Sequence, residues 1–199
     1  IGDRGNRLVL DAYRDTFVDN AEALRAARWR IEHAQVIAPE DLPRFASMGV
    51  IASMQPSHAI SDLHFAPARL GPGRLAGAYA WQSLAQSGAV LAAGSDAPVE
   101  KGDPLIEFYA AAVRRDLSGF AGPDWRAQEA LSRAEALKML TWGPAYASFQ
   151  EADRGTLEVG KRADVSVFSA DLLEAAAEAI PAARPMLTIS GGRITHEAL

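Results

Sequence analysis

The sequence predicts an α/β fold in which short parallel strands alternate with helices, followed by a small β region. Three observations lead there. Over residues 1–150, brief apolar runs of strand length alternate with segments of helical period, giving strand, helix, strand, helix, strand. Each of the three runs opens onto polar residues able to do chemistry: His33, then Gln55 with His58, then Asp96. Over residues 151–199 the pattern changes to short alternating stretches punctuated by glycine, which sets a boundary near Glu151. Parallel strands joined by helices suit either a barrel or an open doubly wound sheet, and periodicity does not separate the two.

From Asn6 onward, Val9, Leu10, Tyr13 and Phe17 recur at helical spacing, and a second helical stretch runs from Ala21 to Ala27. Arg28 to His33 then alternates as a short strand. Pro39 to Met48 carries proline and acids in a first helical turn, and Gly49 supplies the stop. Val50 to Met54 is brief and apolar enough for a buried parallel strand, and it delivers Gln55-Pro-Ser-His58 at its C-terminal end. A loop rich in proline and glycine is expected next, then a helix from Arg74 to Gln86 closed by Gly88. Ala89 to Ala93 forms the third strand and opens onto Gly94-Ser-Asp96-Ala-Pro-Val. Pro104 to Arg115 reads as a helix with proline in its first turn, and Ser132-Arg-Ala-Glu135 has the capping-box pattern of another, running to Leu140. In the second region Gly155 to Phe168 alternates around a glycine turn, Leu172 to Ile180 reads as a short helix, and Leu187 to Ile194 reads as a hairpin with Gly191 and Gly192 at its tip.

Composition narrows the function. Among 199 residues, 20 Lys and Arg stand against 25 Asp and Glu, a net charge of -5 spread without blocks, so nucleic acid is not the expected partner. There is no cysteine, which excludes disulfides, a thiolate metal site and a cysteine nucleophile, and leaves any metal to His, Asp, Glu or a modified Lys. No apolar run approaches the roughly 20 residues that span a bilayer, and no membrane association is expected. The first residue is Ile1 and not Met, and helical pattern begins almost at once, so we expect the start of the protein to be missing. A signal peptide would lie in that missing part, and a cytoplasmic location is the expectation.

Functional residues of α/β folds gather at the C-terminal ends of parallel strands, and here His33, Gln55 with His58, and Asp96 stand at those ends. Neutral imidazole and carboxylate are ligands that zinc accepts, so His33 and Asp96 could share an ion. Taken singly, a histidine after a strand is more often structural, and an aspartate in Gly94-Ser-Asp-Ala-Pro is an ordinary turn residue. Arg114 and Arg115 read equally well as a solvated helix end, while His64 and His196 read as surface residues.

Arg30-Ile-Glu-His-Ala-Gln35, Gln55-Pro-Ser-His58, Tyr79-Ala-Trp81, Gly94-Ser-Asp-Ala-Pro-Val-Glu100 and Gly155-Thr-Leu-Glu-Val-Gly-Lys-Arg-Ala-Asp164 follow one another in an order that resembles the amidohydrolase-3 branch of the amidohydrolase superfamily. That branch includes N-substituted formamide deformylase-like enzymes and other metal-dependent hydrolases, and the likeness runs from Ile1 to Glu197. It implies the C-terminal part of a TIM-like (β/α)8 barrel: Arg28 to His33 as strand six, Val50 to Gln55 as strand seven, Ala89 to Ala93 as strand eight, with the closing β region beside them. It implies that His33 and Asp96 bind a divalent metal, zinc, with one or two ions in the intact enzyme, and that Asp96 also takes a proton from the attacking water. His58, Gln55 and Tyr79 would face a small-molecule amide-type substrate, although Tyr79 also reads as a packing residue. The superfamily's strand-one His-x-His pair, its strand-four lysine or acid and its strand-five histidine have no counterpart here, so the fragment is expected to be inactive alone. A deaminase of the same superfamily, a non-catalytic binding or regulatory fragment, and a homo-oligomer all remain open.

Overall fold

The computed structural model describes residues 1–18 and 20–198. Its centre is a three-stranded parallel sheet in the order β1 (Arg30–Glu32), β2 (Ile51–Met54), β3 (Leu91–Ala93). Arg30 pairs with Ile51, and Ala52 pairs with Leu91. β1 is shorter than expected because left-handed residues bracket it, Arg28 at φ 49° and His33 at φ 70°, and neither conformation continues a strand.

Helices surround this sheet: α1 (Asp3–Thr16), α2 (Ala21–Ala27), α3 (Leu42–Met48), α4 (Pro56–Asp62), α5 (Ala66–Leu75), α6 (Trp81–Gln86), α7 (Pro104–Val113), α8 (Arg133–Leu140) and α9 (Trp142–Ala147). Their ends follow local chemistry. The Asn20 side chain accepts the Ala23 N–H at 3.0 Å to start α2, and Ser132 with Glu135 closes a reciprocal capping box on α8. Phe45, Ile51, Met54, Trp81, Leu84 and Met139 are fully buried between helices and sheet, each stabilising the fold by about 1.5–3 kcal/mol through removal from water. No helix among the described residues is long and apolar enough to cross a membrane.

The α/β class read from the sequence holds, with three corrections. The expected loop after His58 is two helices, α4 and α5, each with proline in its first turn; the Gly71-Pro72 pair that suggested a loop makes a kink inside α5. The expected continuous helix from Arg74 to Gln86 is broken, because residues 77–79 pair with residues 35–37: the Ile37 N–H donates to Gly77 O at 2.9 Å and the Tyr79 N–H donates to Gln35 O at 2.7 Å. Gly77 permits this approach, since a Cβ there would lie 1.6 Å from Ile37 O. The Ala-rich Leu172 to Ile180 is not a helix beyond one 3-10 turn at Ala177–Ala179; Ile180 is fully buried in the core, and that anchor wins over alanine propensity.

A second glycine sets another close contact. Gly143 of α9 lies against the edge of β3, where a Cβ would come within 2.2 Å of Leu91 O. Beyond α9, β4 (Val165–Phe168), β5 (Pro185–Ser190) and β6 (Arg193–Glu197) form an antiparallel sheet in that order, its last turn at Gly191-Gly192 as expected. The expected alternation from Gly155 yields a strand only over Val165–Phe168, so most of that stretch is turn. Arg28 ties the two regions: its guanidinium meets both Glu151 oxygens at 2.6 and 2.9 Å, donates to Tyr146 O at 2.9 Å, and lies 3.8 Å over the Tyr146 ring.

Candidate metal centre

The three parallel strands end on one side of the sheet, and each delivers one group. β1 delivers His33 directly. β2 runs through Gln55 into α4, whose third residue is His58, and β3 leads through Gly94 to Asp96. One ligand atom from each of His33, His58 and Asp96 lies within 4.8 Å of the others. The two imidazole rings stack at 5.8 Å between centroids and 17° between planes, and His58 Nε2 stands 3.9 Å from Asp96 Oδ2.

Two features mark this cluster. His33 Nδ1 and His58 Nε2 are buried and have no hydrogen-bond partner among the described residues, a costly state for polar nitrogens. His33, Ala34 and Asp96 also have left-handed φ values of 70°, 42° and 58°, each costing on the order of 1 kcal/mol or more for a residue with a Cβ. Two imidazoles, each with an unpartnered nitrogen, converging on a carboxylate suit a divalent ion such as zinc. The Asp96 side chain is 40% exposed against 12% for His58, so the carboxylate is the group that solvent reaches.

The backbone around these groups is braced. Gly94 N–H donates to Met54 O at 3.1 Å, holding the start of the Asp96 turn against the end of β2. Gln55 is buried at the start of α4, with its carbonyl accepting the His58 N–H at 3.2 Å. Glu107 of α7 is buried and accepts the Ser57 N–H at 2.9 Å, capping the helix one residue before His58; burial pushes its carboxyl above the ordinary range, against the opposing pull of that hydrogen bond. Ser61 donates to Glu100 at 2.8 Å and links α4 to the turn after Asp96.

Tyr79 lies outside the three-group cluster. It is buried at φ 49°, and its hydroxyl donates to Asp62 and accepts from Gln35, each at 2.5 Å. Burial, then the hydrogen bond to Asp62, pushes its hydroxyl well above the ordinary tyrosine range. Arg114 is not at a solvated helix end: it is buried, donates to the carbonyls of Tyr79, Ala78 and Trp125 at 2.9, 3.2 and 2.9 Å, and burial lowers it to about 10. Arg115 is exposed, as are His64 and His196.

Sequence reasoning missed Asp62, Gln35 and Glu107, and it placed His58 with Gln55 at the second strand end as a substrate-facing residue, where the structure brings it within 4.8 Å of His33 and Asp96. A signal existed for part of this. Pro56 marks a first helical turn, which puts His58 and Asp62 four residues apart on one helix face.

The model of the amidohydrolase family matches residues 1–196. The chain is 34% identical over 168 residues to the amidohydrolase YtcJ of Bacillus subtilis (strain 168), an overlap of 84% of this chain and 32% of YtcJ. It is 26% identical over 203 residues to the N-substituted formamide deformylase of Arthrobacter pascens, covering 96% of this chain and 34% of that protein. A crystal structure of an uncharacterized metal-dependent hydrolase from Pyrococcus horikoshii OT3 superposes with a TM-score of 0.75 at 29% identity, covering 89% of this chain and 34% of that one. The chain thus spans about a third of the length of the relatives it matches. With a match over nearly its whole length, and with two imidazoles and a carboxylate meeting at its strand ends, the chain belongs to the amidohydrolase family.

Proposed function

We propose that this protein is a metal-dependent hydrolase that uses water to cleave a C–N bond of a small amide, of the N-acyl or N-formyl amine type. The observation that carries the reading is the meeting of His33, His58 and Asp96 within 4.8 Å at the ends of three consecutive strands. The likeness to a formamide deformylase supports the choice of bond. A bound divalent ion, zinc by the chemistry of this donor set, lowers the pKa of water and polarises a carbonyl oxygen. His33 and His58 would hold it through imidazole nitrogens and Asp96 through a carboxylate oxygen. Asp96, the most exposed of the three, accepts the proton of the attacking water as the C–O bond forms. It returns that proton to the amine nitrogen as the C–N bond breaks, so an acid and an amine leave with protons balanced.

In this reading β1, β2 and β3 are strands six, seven and eight of a (β/α)8 barrel, and residues 1–199 hold part of a larger site. The coverage of about a third of YtcJ and of the deformylase supports this. Zinc titration of the chain by calorimetry, alongside His33→Ala and Asp96→Ala, is the test, with a panel of N-formyl and N-acyl amines assayed in parallel. The expected result is zinc uptake that needs both residues, with no turnover by the 199 residues alone. A chain that takes up no zinc overturns the metal centre. Zinc-dependent turnover that both substitutions abolish would keep the hydrolase and overturn the incomplete site.

A further inference from the structure

We infer that Asp62, with Gln35 and Tyr79, is a positioning element that sets the spacing of the His33 and His58 imidazoles. The inference rests on the metal-centre reading above and extends it to residues outside the cluster of His33, His58 and Asp96.

Two segments carry the imidazoles, the exit of β1 and helix α4, and they are joined by two parallel rungs. The first rung is the stacked pair His33 and His58, 5.8 Å apart with no hydrogen bond between them. The second lies two residues further along the β1 exit and one helical turn further along α4: Gln35 Nε2 donates to Asp62 Oδ2 at 2.9 Å. Tyr79 completes it from a third segment, its hydroxyl donating to the same Asp62 oxygen at 2.5 Å and accepting from Gln35 at 2.5 Å. All three residues are at least half-buried, so these bonds are sheltered from water.

The second rung has a mechanical task. His33 and Ala34 hold left-handed backbone, which persists only where the surroundings impose it. The imposing contacts begin at the next residue. Gln35 is fixed by its side chain to α4 and by its carbonyl to the Tyr79 N–H at 2.7 Å, while Val36 O accepts from Asn6 Nδ2 at 2.8 Å. Tyr79 is itself left-handed and pinned through its carbonyl by buried Arg114 at 2.9 Å. The strained turn that aims His33 is therefore clamped against the helix that carries His58, and the clamp closes on one oxygen of Asp62.

The test uses cobalt(II) alone as the probe, titrated into the chain and followed by visible absorption, with Asp62→Ala, Asp62→Asn and Gln35→Ala. Asparagine can present its carbonyl oxygen where Asp62 Oδ2 now receives both bonds, so it should rescue. Asp62→Ala is expected to weaken cobalt binding about 10–100-fold and to alter the band shape, as loss of an orienting group outside the ligand set does. Asp62→Asn should stay within about threefold of the unsubstituted chain, the range left when hydrogen bonds are kept. Metal-free protein supplies an independent readout: the proton contacts between the His33 and His58 rings in NMR spectra should fade in Asp62→Ala and persist in Asp62→Asn. Unchanged binding and ring contacts in Asp62→Ala overturn the inference, as does an equal loss in Asp62→Ala and Asp62→Asn. If Asp62→Ala does not fold, Gln35→Ala makes the same comparison, because Tyr79 still pairs with Asp62 there. A failure of the unsubstituted chain to bind cobalt, with ring contacts normal in every variant, would sink the metal-centre reading and the positioning role together; ring contacts that fade only in Asp62→Ala would sink the former alone.

Discussion

The two sheets of this molecule are built from the same number of strands and put to opposite uses. In the parallel sheet Ile51, Ala52 and Met54 of β2 are almost fully buried, and the strand ends converge on His33, His58 and Asp96. In the antiparallel sheet every residue of β6 is exposed, Ile194 among them, as is Val167 of β4, and the strands are held mainly by their own ladder of backbone hydrogen bonds. Its tie to the core runs through the segment between β4 and β5, where Ile180 is fully buried and Leu172 O accepts from Arg133 at 2.7 Å. Burial is what allows a strand end to be a fixed address for a side chain; in the first sheet it is concentrated in the central strand β2, with Ile31 and Ala92 buried on its two neighbours, and the second sheet has no buried strand residue.

The sharpest way to test that division is at a strand end of the first sheet. In the complete enzyme of the proposed function, Asp96→Asn keeps the fold and tolerates the left-handed backbone, yet lowers turnover by about 10²–10⁴-fold, because an amide cannot accept the water's proton. Near-normal turnover across pH would show that another group is the base. Packing comes next: Ile51→Ala is expected to cost about 2–5 kcal/mol in urea denaturation, whereas Ile194→Ala, at an exposed site, should change stability by no more than about 0.5 kcal/mol. Similar losses at the two positions would erase the distinction between the sheets. Hydrogen exchange gives a smaller contrast. The Ala52 amide, bonded to Val90 O at 3.0 Å, should exchange about tenfold or more slowly than ladder amides of β6, since the latter open without disturbing the core.

The smallest effect concerns the join between the regions. Arg28 holds the Glu151 carboxyl below its ordinary value of 4.5, so the folded state favours the ionised form. The stability this contributes is present above about pH 4.5 and is lost as pH falls through the lower folded value. Glu151→Gln should therefore flatten the acid side of the curve of melting temperature against pH while leaving the neutral side nearly level. An unchanged acid slope would mean that this pair does not couple the regions.

Much of the first sheet was legible in the sequence, because brief apolar runs bounded by glycine and proline are the signature of buried parallel strands, and because His33 and Asp96 sit where such strands end. The capping box at Ser132 and the Gly191-Gly192 turn were legible for the same local reason. What escaped depended on contacts distant along the chain. The break at Gly77 exists only because residues 35–37 pair with it, Arg114 looks like a helix-end cation until three distant carbonyls are seen to surround it, and the partnership of Gln35, Asp62 and Tyr79 joins three separate segments. The convergence of His58 was half legible, since its helix is announced by Pro56 but its distance from Asp96 is not.

Gly143 carries a consequence for how this sequence can change over generations. It sits on a helix that contributes nothing to the metal centre, and by ordinary expectation a glycine-to-alanine replacement in a helix is harmless or helpful. Here the added methyl would meet Leu91 O at 2.2 Å and the Ala92 Cα at 3.1 Å, so either α9 or β3 must retreat. β3 ends three residues before Asp96. A retreat of about 1 Å in that strand would be passed to the carboxylate, a displacement of the size that can cost a catalyst about 10²-fold. Under the proposed function, a position with no polar atom in its side chain would thus be tied to the carboxylate of a residue 47 places earlier in the chain, and Gly143→Ala would be costly despite its helical setting.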